Sequence, residues 1–231
     1  MRAIAVYVVE FIGPFALTFI GAGAIILDQV LHRDATDLVS IALAHGLAIG
    51  LMVAAAGHIS GGHYNPAVTI GLLATRRIKP AVAAGYIVAQ LLGALVAAAL
   101  LKAFFPADAV NTVQLGTPAL GRGVDPVAGT IIEVILTFFL MFTIFGTAVD
   151  TRGPRGVAPL AIGLTISMDI LAGGPLTGAA MNPSRWFGTA IVQGFLDNWW
   201  VYWVGPIIGA LIAALLYHYV LLDERQRTPA A

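Results

Sequence analysis

Apolar residues run almost unbroken through six stretches, at about 4–27, 38–57, 82–105, 127–149, 157–173 and 199–222. Each is close to the roughly 20 residues that a helix needs to cross a hydrocarbon core. The pattern therefore predicts an all-α membrane protein with six transmembrane helices and both termini on one side. The run from Ile4 to Leu27 is too long for the apolar segment of a signal peptide and is expected to be a retained span. Two polar interruptions break the pattern, GGHYNPAVTIG at 61–71 and GAAMNPSRWFG at 178–188. Each is followed by a short apolar run, Pro66 to Thr75 and Pro183 to Gln193, long enough for only about 15 Å of helix. These are predicted to be re-entrant half-helices.

The two interruptions belong to a repeat. Asn182 minus Asn65 is 117, and the same offset relates Gly163 to Gly46, Gly174 to Gly57 and Gly188 to Gly71. EFIGPFALTF from Glu10 resembles EVILTFFLMF from Glu133, and YIVAQLLGALVAAALL from Tyr86 resembles YWVGPIIGALIAALLY from Tyr202. Each half holds three full spans, an odd number, so the second must enter the membrane inverted relative to the first. The expected organisation is one channel domain over 1–231. Its parts are a first repeat at about 1–105, a loop at 106–126 rich in Pro, Gly and Thr, a second repeat at about 127–222, and a cytoplasmic tail at 223–231.

Composition fits a bilayer, with 59% hydrophobic and 10% charged residues and a mean hydropathy of +0.90. Net charge is zero, which argues against nucleic acid as a partner. Arg2, Arg76, Arg77, Lys79, Arg152, Arg155, Arg225 and Arg227 fall on the side of the termini, and Arg33, Lys102 and Arg122 on the other. The positive-inside rule then makes the termini cytoplasmic, with the cell membrane as the expected location. The chain has no Cys, which removes disulfides, thiolate metal sites and thiol chemistry. His58 with His63 lacks further ligands for a metal, and neither metal, cofactor nor catalytic residue is expected.

The Asn-Pro dipeptides carry the chemistry. A residue before Pro is pushed out of the α region, Asn is a strong N-cap, and Pro is favoured at the first helical position. Asn65 and Asn182 should therefore cap the half-helices, leaving their NH2 groups as donors. Two half-helices meeting head to head would set two such donors and two positive dipole ends around one point. That point repels cations and holds a lone pair. The incoming legs, with Gly61, Gly62, His63 and Tyr64 in one and Gly178, Ala180 and Met181 in the other, are irregular backbone at membrane depth. Such backbone is tolerated where it lines protein or a water-filled cavity. Glu10 and Glu133 occupy matching places and are expected to hold these legs through hydrogen bonds, since buried carboxyls need partners.

These motifs, with the closing VYWVGP, resemble the major intrinsic protein (aquaporin) family over nearly the whole chain. The resemblance implies a single-file pore for water or small neutral solutes, commonly four pores per homotetramer. It makes Asn65, Pro66, Ala67 and Asn182, Pro183, Ser184 the two boxes, the second reading Asn-Pro-Ser where the family pattern has Asn-Pro-Ala. Arg185 becomes the filter arginine, and distances from the two Asn give His45, Ile170 and Ala179 as its companions. That set is similar to the plant tonoplast intrinsic type and implies a wider constriction, open to ammonia, hydrogen peroxide, glycerol or urea beside water. Trp186 and the Tyr202-Trp203 pair lean away from a dedicated glycerol pore. A glycerol-preferring facilitator and an ion-coupled secondary transporter are the competing readings; coupling would need Glu10, Glu133 or Asp169. Asp169 itself is expected either to shape the outer vestibule or to hydrogen-bond a loop.

Overall fold

The computed structural model describes residues 3–32 and 36–227; Arg2, Arg33 and the end of the expected tail lie outside them. Every regular element among the described residues is helical. The six spans are α1 (Ala3–Leu31), α2 (Leu38–Ser60), α4 (Pro80–Phe104), α6 (Pro126–Ile144), α7 (Ala158–Thr177) and α9 (Val201–Leu216). The half-helices are α3 (Pro66–Ala74) and α8 (Pro183–Gln193). Two short helices, α5 (Ala107–Thr112) and α10 (Glu224–Arg227), and two 3-10 turns, Gln114–Gly116 and Arg155–Val157, lie in the connections. Single π-helical turns, Phe145–Val149 and Tyr217–Leu221, extend α6 and α9.

Two boundaries lie four residues beyond expectation: α1 continues past Leu27 to Leu31, and α7, expected to end at 173, continues through Pro175 to Thr177. Pro175 has no N–H to give the Leu171 carbonyl, and α7 ends two residues later. Both α2 and α7 then stop on a left-handed glycine. Gly61 (φ 94°) and Gly178 (φ 77°) donate their N–H groups to Gly57 and Gly174, each at 2.8 Å. This is why the glycines at 57 and 174 share the repeat register: they receive the closing bond of the helix that leads into each half-pore leg.

The other paired glycines mark helix crossings. Gly46 on α2 and Gly163 on α7 face each other so closely that a Cβ on either would strike the other's backbone carbonyl. A Cβ on Gly71 of α3 would lie 3.3 Å from the Ala210 carbonyl of α9, and one on Gly188 of α8 would strike the Ala94 carbonyl of α4. The half-helices are thus exchanged, each packing on the last span of the opposite half. Within the halves α1 packs on α4 and α6 on α9, and α2 with α7 joins the halves.

The outer surface is apolar at helical spacing. Leu43, Leu47 and Leu51 on α2 and Val8, Ile12 and Ile20 on α1 are all at least 43% exposed, as helices facing lipid require. Polar groups turn inward, and Glu10, Gln90 and Glu133 are fully buried. At the face carrying α10 the connections are tied together. Arg152 donates to Asp150 and to Asp223, Gln226 Nε2 donates to Asp150, and Arg77 donates to the Gln226 carbonyl at 3.1 Å. These residues come from the side that the charge asymmetry assigned to the termini.

Candidate pore

Each half-pore leg is held by one carboxyl group. Glu10 Oε1 accepts from the Ser60 hydroxyl at 2.6 Å and from His63 N–H at 3.0 Å, and its Oε2 accepts from Tyr64 N–H and Gln90 Nε2, both at 2.8 Å. Glu133 repeats the pattern, with Oε1 taking the Thr177 hydroxyl at 2.7 Å and Ala180 N–H at 2.9 Å, and Oε2 taking Met181 N–H at 2.8 Å. The legs need this support because their backbone is strained. Tyr64 (φ 51°), Ala179 (φ 44°) and Met181 (φ 50°) sit in the left-handed region beside Gly61, Gly62 and Gly178. That conformation, costly for side chains other than Gly, turns successive carbonyls away from the helical direction.

Those carbonyls receive the cap asparagines. Asn65 caps α3 by accepting Ala67 N–H at 2.9 Å, and its Nδ2 donates to the Met181 carbonyl at 2.8 Å. Asn182 caps α8 by accepting Ser184 and Arg185 N–H, and its Nδ2 donates to the Tyr64 carbonyl at 2.9 Å. Each half-helix is therefore tied through its cap to the last residue of the other leg. An NH2 group has two hydrogens, so one on each Asn stays free of this cross-tie. Both asparagines are 4% exposed.

They line one elongated void of about 710 Å³, its open ends included. Toward one end its wall holds His45, Ile170, Ala179 and Arg185. Arg185 Nη2 donates to the Gly116 carbonyl at 2.8 Å, and its Nε and Nη2 face His45 Nε2 at 3.4 and 3.3 Å. His45 Nδ1 lies 2.8 Å from the Ile41 carbonyl and must carry its hydrogen there, which leaves Nε2 as the acceptor and the ring neutral. An arginine this enclosed, 3% exposed, is stabilised through those partners. Toward the other end the wall is apolar, with Val53, Val68, Leu72, Ile144 and Ile162.

The residues expected from the sequence divide as follows. Gly61, Gly62, His63, Tyr64, Ala180 and Met181 line the void. Gly178 does not; it is the left-handed stop of α7. Pro66, Ala67, Pro183 and Ser184 lie buried in the first turns of α3 and α8. Asp169 is 1% exposed and lies outside the lining, and its Oδ2 has no hydrogen-bond partner among the described residues, which show it neither on the void nor bonded to a loop. Four contributors stand outside the sequence expectations: Ser60, Thr177, Gln90 and the Gly116 carbonyl. Ser60 and Thr177 stand 117 residues apart, so the repeat register could have found them. The Gly116 carbonyl could not be found that way, because it is backbone in a loop without a pattern.

Comparison with known proteins agrees with this geometry. The family model described as Major intrinsic protein matches residues 1–217. Aquaporin TIP4-4 of Zea mays is 43% identical, with 95% of this chain and 88% of that protein covered. Aquaporin TIP2-1 of Arabidopsis thaliana is 40% identical, over 100% and 93%. The X-ray structure of the aquaglyceroporin from Plasmodium falciparum superposes with a TM-score of 0.80 at 25% identity, covering 94% of this chain and 96% of that one. With its inverted halves, exchanged half-helices and paired Asn caps, the chain belongs to the major intrinsic protein family.

Proposed function

We propose that the void is the conduction path of a passive channel for water and small neutral solutes. The observation that carries this reading is the meeting of Asn65 and Asn182 on one void, each cross-tied to the opposite leg. A solute passing between them meets amide donors and leg carbonyls, which replace part of its hydration without a mobile charge. Cations meet two helix N-termini and Arg185, and are opposed. His45, Ile170, Ala179 and Arg185 are the selectivity filter on this reading, with Glu10 and Glu133 as supports of the legs. The similarity to TIP-type aquaporins favours water with a range of small neutral solutes over a dedicated glycerol pore.

The unit is one channel domain over 1–231, its halves at about 1–105 and 127–222 joined by the loop at 106–126. Four copies would assemble as a homotetramer, with the termini cytoplasmic by the positive-inside asymmetry. Insertion as a multi-pass membrane protein is common to the family. The compartment is a finer matter: relatives of the TIP type point to the tonoplast rather than to the plasma membrane.

Stopped-flow light scattering of proteoliposomes with water, urea, glycerol and ammonia, with and without a proton or sodium gradient, tests the reading. Flux down each solute's own gradient, indifferent to the ion gradients, is expected. A required ion gradient would make the protein a coupled transporter instead. Sedimentation in detergent checks the tetramer.

A further inference from the structure

The two cap asparagines are not equivalent. Asn65 Oδ1 accepts one bond, from Ala67 N–H. Asn182 Oδ1 accepts three: Ser184 N–H at 3.0 Å, Arg185 N–H at 3.4 Å and the Ser184 hydroxyl at 2.7 Å. The difference traces to one position in the repeat, where Ala67 stands 117 residues before Ser184. Ser184 is fully buried, so its hydroxyl needs an internal partner, and the Asn182 oxygen supplies it.

We infer that Ser184 is a positioning residue that fixes and polarises the Asn182 amide, making Asn182 the stronger of the two donors facing the void. Fixing follows from the donors. Turning the amide over would set its NH2 against two N–H groups and one O–H, whereas at Asn65 it would face a single N–H. Polarisation follows from amide resonance. Hydrogen bonds accepted at the oxygen draw density from the nitrogen, and each link in such a chain strengthens the next by about 10–30%. The NH2 of Asn182 spends one hydrogen on the Tyr64 carbonyl; the other is the one this effect sharpens. The middle of the path therefore has a strong and a weak donor, and the strong one belongs to the half that also carries Arg185. An acceptor solute dwells longer at Asn182 than at Asn65.

This inference rests on the void being the conduction path, and the test separates the two claims. Wild type, Ser184→Ala and Ala67→Ser are reconstituted, and water permeability per channel is measured against temperature. In parallel, solid-state NMR reads the side-chain amides of protein labelled at its four asparagines, Asn65, Asn111, Asn182 and Asn198. Ser184→Ala removes one oxygen and adds nothing, so it keeps the packing. It should raise permeability per channel by less than about twofold with a shallower temperature dependence, as a strengthening of this size implies. It should also move the Asn182 amide protons upfield, toward those of Asn65. Ala67→Ser should slow water and move the Asn65 amide protons downfield. Asn182 signals unchanged in Ser184→Ala would overturn the inference, and so would unaltered permeability and temperature dependence in that variant. A wild type that conducts no water would instead remove the pore reading, with the NMR comparison still deciding the hydrogen bond.

Discussion

The two ends of the void are built on one plan and finished with different chemistry. Subtracting or adding 117 pairs His45 with Ile162, Ile170 with Val53, Ala179 with Gly62 and Arg185 with Val68, and all eight residues line the void. One end thus presents a cation, an imidazole acceptor and two small or aliphatic groups. The other presents three branched aliphatic side chains and a glycine. The supporting clamps are alike, each a buried carboxyl holding one hydroxyl and two backbone N–H groups. Their backing is not. Behind the first leg, Gln90 donates to both Glu10 and Thr69, and His63 Nδ1 lies 3.2 Å from Thr69 Oγ1. Behind the second, Trp186 stands at the Thr69 position and stacks on Tyr202 with ring centroids 5.7 Å apart. What the backbone of a re-entrant leg demands is therefore kept in both halves. On the proposed reading, what a passing solute meets is free to diverge, and only one end of the void, built from His45 of the first half and Arg185 of the second, carries polar side chains.

The largest effect is expected from the clamps. Glu10→Ala leaves the N–H groups of His63 and Tyr64 without a partner, and Glu133→Ala does the same to Ala180 and Met181. Each buried orphan costs about 1–3 kcal/mol, so either change should cost about 2–6 kcal/mol and lower the thermal unfolding temperature in detergent. Since the backbone donors are the same in number, the two losses should be similar. A much smaller loss in one variant would mean that the shared clamp is not what holds both legs.

A selective effect is expected at the polar end. His45→Phe removes the acceptor facing Arg185 and narrows the opening with a larger apolar ring. A lost hydrogen bond of about 1 kcal/mol corresponds to roughly a fivefold lower flux of urea, glycerol or ammonia, whichever the wild type conducts, with water reduced less. The paired change at the apolar end, Ile162→Phe, deletes no hydrogen bond and should slow all solutes in similar proportion. Equal reduction of every flux by His45→Phe would end the wide-filter reading.

The smallest effect lies outside the void, at the apolar end. Arg152, hydrogen-bonded to Asp150 through Nε and Nη2, holds that carboxyl well below the usual carboxylate range. A depressed folded value stabilises above the unfolded value, near about 3.9, and that stabilisation is lost as pH falls through the folded one. Thermal stability from this contact should stay level from pH 8 to pH 5 and fall only in stronger acid. Arg152 is half exposed, so solvent screens the pair and Arg152→Ala should lower the unfolding temperature only slightly, a shift that differential scanning fluorimetry would register. A step in stability near neutral pH would contradict this assignment.

Much of the fold was legible because hydropathy and the bilayer together fix helix lengths. The Asn-Pro pairs fix the half-helix starts to the residue, as Pro66 and Pro183 show. The repeat register pairs Gly71 with Gly188, and in the structure both stand at close helix crossings. Legibility ended where a function falls to backbone in a loop. Gly116 reaches Arg185 because Gln114 and Leu115 adopt positive φ, 50° and 56°, a conformation their residue types do not announce. It also ended at Asp169, for which the sequence left the outer vestibule or a loop contact open, while its buried Oδ2 lies off the lining and without a partner among the described residues. Charge in a sequence marks expense, and only packing shows which way it faces.

The central claim, one scaffold with discrimination at a single end, is tested most directly by Arg185→Val, which gives the polar end the residue that Val68 already supplies at the other. Water, proton and sodium fluxes are measured in the same proteoliposomes for wild type and variant. A unit charge about 8 Å from a passing cation, at an effective dielectric of 20, is worth about 2 kcal/mol, or roughly thirtyfold in rate. Water permeability should stay within about twofold while proton or sodium leak rises toward that factor. A variant that folds and conducts water yet leaks no more protons or sodium than wild type would show that Arg185 does not guard the path.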